Sequence, residues 1–267
     1  MHALLMGIDN YPGSDADLSG CVNDVADWAQ LLGPQCDTVK ILTNRQCTKV
    51  GMVREMKRVL NATAAGDWAF ILFSGHGTWV PDVNGDEPDG RDEALVPYDY
   101  DERLLLDDEI KDLLLGRPAG SRVFFVSDSC HSGTVFRLFG PTTRARMRFL
   151  PPEKLGRVAE HIALPIARRA RLPRQRALPG VVHLSGCADT EYSYEHVDGN
   201  GRSTGAMSTA ARAAYAEMQR LKKSKRTFAE WHARICKRLP TYDYPQSPQL
   251  NAYAIETRLI VPGLERR

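Results

Sequence analysis

Two nearly continuous apolar runs, residues 68–73 and 122–126, constrain the fold of this 267-residue chain more than any other feature. Short runs without polar alternation are typical of strands buried on both faces of a parallel sheet. In open sheets of this kind, ligands and reacting groups gather at the carboxyl ends of the strands. The residues that follow the two runs are therefore the first place to search for chemistry.

Helix-like and strand-like segments alternate along the rest of the chain, which predicts a mostly parallel sheet covered by helices. Helical patterns occur at about residues 16–32, 48–61, 107–115, 205–222 and 227–238. Further strands are predicted at residues 3–8, 39–42, 181–187 and 252–261.

Composition and charge describe an ordinary soluble globular chain, with 43% hydrophobic residues, 25% charged residues and a formal net charge of +2. These values exclude a disordered chain and do not indicate nucleic-acid binding. No apolar stretch approaches the ~20 residues of a membrane span, and the first residues lack the basic region of a signal peptide. Six cysteines without a Cys-x-x-Cys pair favour reduced thiols, so we expect a cytoplasmic protein.

The segments after the two apolar runs carry an imidazole and a thiol. Residues 73–77 read Phe-Ser-Gly-His-Gly, and residues 127–133 read Ser-Asp-Ser-Cys-His-Ser-Gly. A thiol becomes an effective nucleophile when a neighbouring imidazole takes its proton, so we predict Cys130 as nucleophile and His76 as base. His131 is a poor alternative, because adjacent side chains on an extended backbone point in opposite directions. Taken singly, each predicted residue is also compatible with a structural cysteine or a turn histidine.

Glycines flank the predicted base. Gly75 and Gly77 let the backbone approach a substrate, and a backbone N–H can donate a hydrogen bond to a developing oxyanion. We predict that the N–H groups of Gly77 and Cys130 form an oxyanion hole.

Six motifs occur in order along the chain: Gly-Ile-Asp-Asn-Tyr at 7–11, Leu-Ser-Gly-Cys-Val-Asn-Asp at 18–24, the segment 73–77, Asp-Glu-Ala-Leu-Val-Pro at 92–97, Asp-Ser-Cys-His-Ser-Gly at 128–133 and Ser-Gly-Cys-Ala-Asp at 185–189. Together they resemble the metacaspases and bacterial orthocaspases, which are caspase-like cysteine peptidases. The resemblance implies one caspase-like domain over residues 1–267, a three-layer α/β/α sandwich with a mostly parallel central sheet. A large-subunit-like part (1–136), a basic linker (137–179) and a small-subunit-like part (180–267) are expected.

The resemblance also implies a Cys-His dyad that hydrolyses peptide bonds after Arg or Lys, usually in a monomer. The expected partners are protein or peptide substrates with Arg or Lys at P1, the residue before the scissile bond, and neither nucleic acid nor membrane. By position, Asp24 and Asp128 match the family's pocket aspartates, and Ser74 and Cys21 match its smaller pocket residues. Carboxylates suit a guanidinium because they accept charge-assisted, bidentate hydrogen bonds. Read alone, Asp24 is also compatible with a surface carboxylate on a helix.

An acidic stretch, residues 82–109, contains twelve Asp or Glu against two Arg. Calcium activation is common in the family, and by position Asp92, Asp107 and Asp108 match its ligands. Carboxylate oxygens suit calcium, although Arg137 stands where calcium-dependent relatives often have an aspartate. No cofactor is expected to be required for the chemistry itself.

A basic stretch, residues 137–176, has eleven Arg or Lys against two Glu and no clean period, which favours a mobile linker. A peptidase with an acidic pocket would find this linker cleavable. We therefore predict autoprocessing after one of Arg144, Arg146, Arg148, Arg169, Arg171, Arg174 or Arg176. The alternative is a basic patch for nucleic acid or an acidic partner.

Two other functions stay open at this point. One is a catalytically silent caspase-like interaction module, and the other is a thiol hydrolase acting on small amides. The sequence does not define the physiological substrates or the preference at P2 to P4.

Overall fold

The computed structural model describes residues 1–82, 90–130, 145–156 and 177–265. Its strands, in chain order, are β1 His2–Gly7, β2 Thr38–Thr43, β3 Trp68–Ser74, β4 Gly77–Pro81, β5 Arg91–Leu95, β6 Leu105–Leu106, β7 Arg122–Asp128, β8 Val181–Ser185, β9 Glu195–Val197, β10 Ser203–Gly205 and β11 Gln249–Asn251. Its α-helices are α1 Cys21–Leu32, α2 Lys49–Ala62, α3 Asp107–Leu115, α4 Ala206–Met218, α5 Phe228–Ile235 and α6 Ala254–Thr257.

A six-stranded sheet, in the order β11-β8-β7-β3-β1-β2, forms the centre of the molecule. Its strands are parallel except β11, which runs antiparallel to β8. The register between β3 and β7 pairs Ser74 with Asp128. Because His76 and Cys130 each lie two residues further on, the fold brings both to the same edge of the sheet. The predicted mostly parallel sheet is confirmed.

Helices cover both faces of this sheet. On one face, apolar side chains of α1, α4 and α5 pack on the strands around Trp28, Phe124 and Trp231. On the other face, α2 and α3 pack on the strands around Met56 and Phe73. These two cores give the predicted three-layer α/β/α sandwich, which is therefore also confirmed.

The start of α1 is fixed against the end of β1. The Asp9 carboxylate accepts hydrogen bonds from the N–H groups of Cys21 and Val22 at 2.7 and 3.2 Å, which satisfies two free donors of the helix terminus. A side chain at Gly7 would lie 2.7 Å from the carbonyl oxygen of Cys21, so only glycine permits this close approach. The first turn of α1 therefore lies beside the carboxyl edge of the sheet, where its Asp24 is fully buried.

Two predicted segments differ in the structure, and the acidic stretch adds strands that were not predicted. Its strands β5 and β6 join β4 in a small antiparallel sheet in the order β4-β5-β6. The strand predicted at 252–261 is wrong, because residues 249–251 pair with β8 and α6 follows at once. Ile255, within the predicted strand, instead lies in α6, and 71% of this residue is exposed. The first helix begins at Cys21 rather than at residue 16.

Residues 145–156 belong to the predicted mobile linker but pack on the sandwich. Leu150 and Leu155 are buried and join the core that contains α2 and α3. Their burial explains why this part is ordered despite its basic composition. Arg144 and the linker arginines at 157–176 lie outside the described residues, as do Arg137 and His131. Within the described ranges, no helix has the length and hydropathy needed to cross a membrane.

Candidate active site

His76 follows β3 and is held by two neighbours. The backbone N–H of His76 donates to the Tyr11 hydroxyl at 2.9 Å, and the ring Nε2 lies 2.7 Å from the carbonyl oxygen of Ala16. A carbonyl only accepts, so Nε2 carries the proton and Nδ1 keeps its lone pair. Within the described residues Nδ1 is buried without a hydrogen-bond partner. Burial lowers the pKa of His76 to about 4, against the raising effect of the bond to Ala16, so the imidazole is neutral at pH 7 and able to accept a proton.

Cys130 lies just beyond β7 and is fully buried. Its thiol donates to the carbonyl oxygen of Glu191 at 2.8 Å. A second thiol, that of Cys187 beyond β8, donates to the same oxygen at 3.3 Å. The predicted nucleophile therefore has another cysteine as its neighbour, which the sequence did not indicate.

The predicted pocket aspartates surround a buried guanidinium that belongs to Arg148. Nη2 of Arg148 lies 2.8 Å from Oδ2 of Asp24, and Nη1 lies 3.2 Å from Oδ2 of Asp128. Nη1 also donates to the Ser74 hydroxyl at 2.8 Å. A third carboxylate, that of Glu195, lies 3.9 Å from Nη2. The structure thus brings the two predicted aspartates and Ser74 together around one cation from the chain itself.

Further groups hold the pocket carboxylates in place. Asp24 accepts from the N–H of Gly205 at 2.9 Å, and Asp128 accepts from the N–H of Ser208, in the first turn of α4, at 2.9 Å. Burial raises the pKa of Asp24 to about 6, while Arg148 acts to lower it. Asp24 is therefore ionised at neutral pH and begins to protonate in mild acid.

Cys21 differs from the other predicted pocket residues. Its N–H bonds to Asp9, and its sulfur lies with the carboxylates of Asp9 and Glu195 in a group whose ligand atoms are within 4.8 Å of one another. Burial raises its pKa well above the ordinary value, so it is a neutral thiol at the pocket wall.

The backbone of Arg148 occupies the predicted oxyanion hole. Its carbonyl oxygen accepts from the N–H of Gly77 at 3.0 Å and from the N–H of Cys130 at 3.1 Å. Both donors therefore converge on one carbonyl, at a distance suited to stabilising negative charge there.

Residues 146–150 cross the cleft through two isolated bridges, Met147 with Tyr194 and Phe149 with Gly77. The N–H of Arg148 donates to the carbonyl of Ser193 at 2.9 Å, and the N–H of Glu195 donates to the carbonyl of Arg146 at 2.9 Å. On the other side, the N–H of Leu150 donates to the carbonyl of Gly77 at 3.0 Å. These backbone hydrogen bonds on both sides are of the kind by which an extended peptide binds along the edge of a sheet.

Several residues of this site gave no signal in the sequence. Ala16 and Glu191 act through backbone carbonyls, which any residue type supplies. Ser193 donates to Asp128 at 2.8 Å, and Glu195 also binds the N–H groups before α1. Motif reading could have found only Glu195, as a carboxylate placed shortly after the 185–189 motif.

The three predicted calcium ligands are not equally placed. Asp107 and Asp108, in the first turn of α3, line a cavity of about 300 Å³ that Glu93 and Asp189 also line. Asp92 is buried and does not line it. Carboxylate oxygens suit calcium, but among the described residues these four are not one of the groups whose ligand atoms all lie within 4.8 Å of one another. Lys111 lies in the same cavity, 3.5 Å from Asp108.

Comparison with known proteins identifies the family. The family model that describes the caspase domain of cysteine peptidases matches residues 1–260. The chain belongs to the caspase-domain family of cysteine peptidases. The resemblance drawn from the six motifs is therefore confirmed.

Similar proteins carry metacaspase names. Metacaspase-1B of Aspergillus terreus is 40% identical over 149 residues, which cover 51% of this caspase-domain chain and 39% of that protein. Metacaspase-1 of Saccharomyces cerevisiae is 37% identical over 149 residues, covering 51% and 34%. Metacaspase-1 of Mycosarcoma maydis is 31% identical over 247 residues, covering 78% and 60%. The chain thus spans less than two thirds of the length of these relatives.

A solved crystal structure of a protein from Geobacter sulfurreducens has the same fold. Its TM-score is 0.74 at 24% identity, and the match covers 97% of this caspase-domain chain and 96% of that one.

Proposed function

We propose that this protein is a cysteine endopeptidase that cleaves peptide bonds after Arg or Lys, and that its own linker is its first substrate. One observation carries the proposal: Arg148 has its guanidinium between Asp24 and Asp128 while its carbonyl oxygen accepts from the N–H groups of Gly77 and Cys130. A P1 side chain and its scissile carbonyl need these two environments at the same time.

The chemistry follows from the groups around that carbonyl. Nδ1 of His76 takes the proton of the Cys130 thiol, and the sulfur attacks the carbonyl carbon of the P1 residue. The negative charge that forms on the carbonyl oxygen is held by the N–H groups of Gly77 and Cys130. His76 then gives its proton to the leaving amine. Water, deprotonated by the same imidazole, hydrolyses the thioester and restores the free thiol.

The preference for a basic P1 residue rests on charge. Asp24 and Asp128 are fully buried, so a neutral or acidic P1 side chain would leave them unpaired in a poorly solvated pocket. Arg satisfies both carboxylates and Ser74 through its planar fork, whereas Lys brings a single point charge. We therefore expect Arg to be cleaved faster than Lys, and Asp not at all.

The same geometry supports one of the predicted linker arginines as the autoprocessing site. Arg146 and Arg148 are the two predicted arginines among the described residues. Arg146 lies at the surface, where its Nη1 donates an exposed hydrogen bond to the carbonyl of Asp17, whereas Arg148 is buried and fills the pocket. We propose that the Arg148–Phe149 bond is cut and that the uncut chain blocks its own cleft. Leu150 and Leu155 are core residues, so the segment after the cut stays anchored while the segment ending at Arg148 is free to leave.

A panel of fluorogenic peptides with Arg, Lys or Asp at P1 tests the proposal. Wild type is expected to cleave Arg and Lys peptides, Cys130→Ala to cleave none, and Asp128→Asn to lose most of its Arg activity. Cys236→Ser, which changes an exposed thiol, serves as the matched control. Equal cleavage of all three peptides would contradict the acidic-pocket argument and favour a thiol hydrolase of broader range. No cleavage by processed wild type would favour an interaction module.

We also propose calcium as a regulator rather than a catalytic group. Of the predicted ligands, Asp107 and Asp108 line the cavity and would bind it there, in competition with Lys111. The peptide assay is repeated with calcium and with chelator, using wild type and Asp107→Asn. If calcium speeds peptide cleavage by wild type but not by Asp107→Asn, the result supports this site. Equal cleavage rates of wild type with calcium and with chelator would contradict regulation by calcium.

A further inference from the structure

We infer that Cys130 and Cys187 form an oxidisable thiol pair, which peroxide converts to an intramolecular disulfide that reversibly disarms the nucleophile. The inference rests on the proposed function for the role of Cys130. The disulfide itself does not depend on that role and is measured separately below.

The two sulfurs are neighbours because their strands are neighbours. β7 and β8 pair in parallel with Ser127 opposite Ser185, and the two cysteines follow these residues by three and two positions. Paired strands lie about 4.8 Å apart, within the Cα separations that disulfides span. Both thiols donate to the carbonyl oxygen of Glu191, at 2.8 and 3.3 Å, and the two thiols also interact with each other.

A route for a small oxidant exists beside the pair. Cys187 and Ser129 line the cavity of about 300 Å³ described above, which extends from α3 to the end of β8. Hydrogen peroxide is close to water in size, so this cavity can bring it to Cys187, whose thiol contacts that of Cys130, even while Arg148 covers the cleft. The other buried thiol outside the pocket, Cys47, bonds instead to the carbonyl of Gly7 at the far side of the site.

The oxidation balances with peroxide as the oxidant. The Cys130 thiolate attacks one peroxide oxygen, the O–O bond breaks, and a sulfenic acid and hydroxide form. The Cys187 sulfur then attacks the sulfenic sulfur, an S–S bond forms, and the hydroxyl leaves as water with the proton of Cys187. In total, two thiols and one peroxide give one disulfide and two waters.

The electrostatics favour this order of events. The hydrogen bond with Cys130 is the first cause that holds the pKa of Cys187 well above its ordinary value, followed by burial. Cys187 is therefore held as a neutral thiol, so Cys130, with His76 to take its proton, is the sulfur expected to react first.

Peptide mapping after peroxide treatment tests the inference. Wild-type chain, with and without linker processing, is titrated with hydrogen peroxide, alkylated and digested without reductant. We expect a peptide pair joined through Cys130 and Cys187, with the loss of two hydrogen masses in the intact protein, and its disappearance after dithiothreitol. Cys187→Ser is expected to show Cys130 oxidised to sulfinic acid, and the matched control Cys236→Ser to behave as wild type.

Activity is measured in parallel, with each variant compared with its own untreated sample. Wild type is expected to lose peptide cleavage and to regain it with dithiothreitol, whereas Cys187→Ser loses it irreversibly. Sulfinic acid on Cys130 of wild type, with Cys187 still alkylated, would overturn the inference. Because the map of wild type needs neither turnover nor a variant, an inactive protein that forms the disulfide would refute the proposed function while leaving this pair in place.

Discussion

Replacing Arg148 by Gln tests the link between the pocket and the linker most directly. The substitution keeps a long polar side chain but removes the cation that lies between Asp24 and Asp128. We expect the chain to lose autoprocessing at the bond before Phe149. We also expect the uncut chain to lose stability, because two buried carboxylates keep their desolvation cost without their partner.

The magnitude follows from the burial of the three side chains, none of which is exposed. Removing one member of a buried ion pair costs about 3–5 kcal/mol. With a urea m-value of about 3 kcal/mol/M, the unfolding midpoint falls by about 1–1.7 M. Arg146→Gln is the matched control: its exposed contact with Asp17 predicts a change of about 0.5 kcal/mol or less.

Stability is measured in the Cys130→Ala background, so that no chain is cut during the titration. Processing is measured in chains that keep Cys130. Intact mass reports whether the chain is cut, and the sequence of the new amino terminus should begin at Phe149. A cut elsewhere in Arg148→Gln at the wild-type rate would refute the reasoning. So would an unfolding midpoint of Arg148→Gln equal to that of Arg146→Gln, since the pocket would then not depend on its cation.

Two further predictions concern the pocket wall and the base. A methyl group at Gly205 would overlap the Asp128 carboxylate and lie 2.6 Å from the Arg148 guanidinium, so Gly205→Ala should strongly raise KM for Arg peptides. Gly199 has open space around it, so the control Gly199→Ala should leave KM unchanged. Similar KM values in the two variants would show that Gly205 does not form the wall of the substrate pocket. The pKa of His76 is about 4 in the fold against an ordinary 6.5, so the unfolded chain binds more protons between these values and stability falls as the pH falls through this window. Thermal melts of wild type against His76→Asn, over pH 4 to 7, isolate this contribution; parallel curves would show that the imidazole is not held neutral.

Much of the fold was predictable because the signals are local. The apolar runs of β3 and β7 are buried along nearly their whole length, and strand pairing then fixes the positions of His76 and Cys130. The predicted strand at 252–261 failed because a short apolar segment is compatible with either strand or helix, and only packing decides.

The candidate site was predictable as a set of residue types but not as an arrangement. Asp24 and Asp128 follow from their motifs, while the carbonyl groups of Ala16 and Glu191 have no residue signature. The choice of Arg148 among seven linker arginines depends on where Leu150 anchors the chain, which is a tertiary property. The sequence alone does not tell which of these arginines the fold places in the pocket.

Under the proposed function, the buried carboxylates link specificity for basic P1 residues to inhibition by the chain's own Arg148. Asp24, Asp128 and Glu195 face one guanidinium, so the pocket carries an excess of negative charge even when Arg148 fills it. When cleavage lets Arg148 leave, that excess grows, and the empty pocket becomes the least stable form of the site unless water or a new cation enters. We therefore expect the interaction that stabilises the uncut chain to be the same one that binds the next basic P1 residue in the cut enzyme. A substitution that relaxes the pocket should weaken both, and the two effects should scale together across a series at Asp24, Asp128 and Gly205.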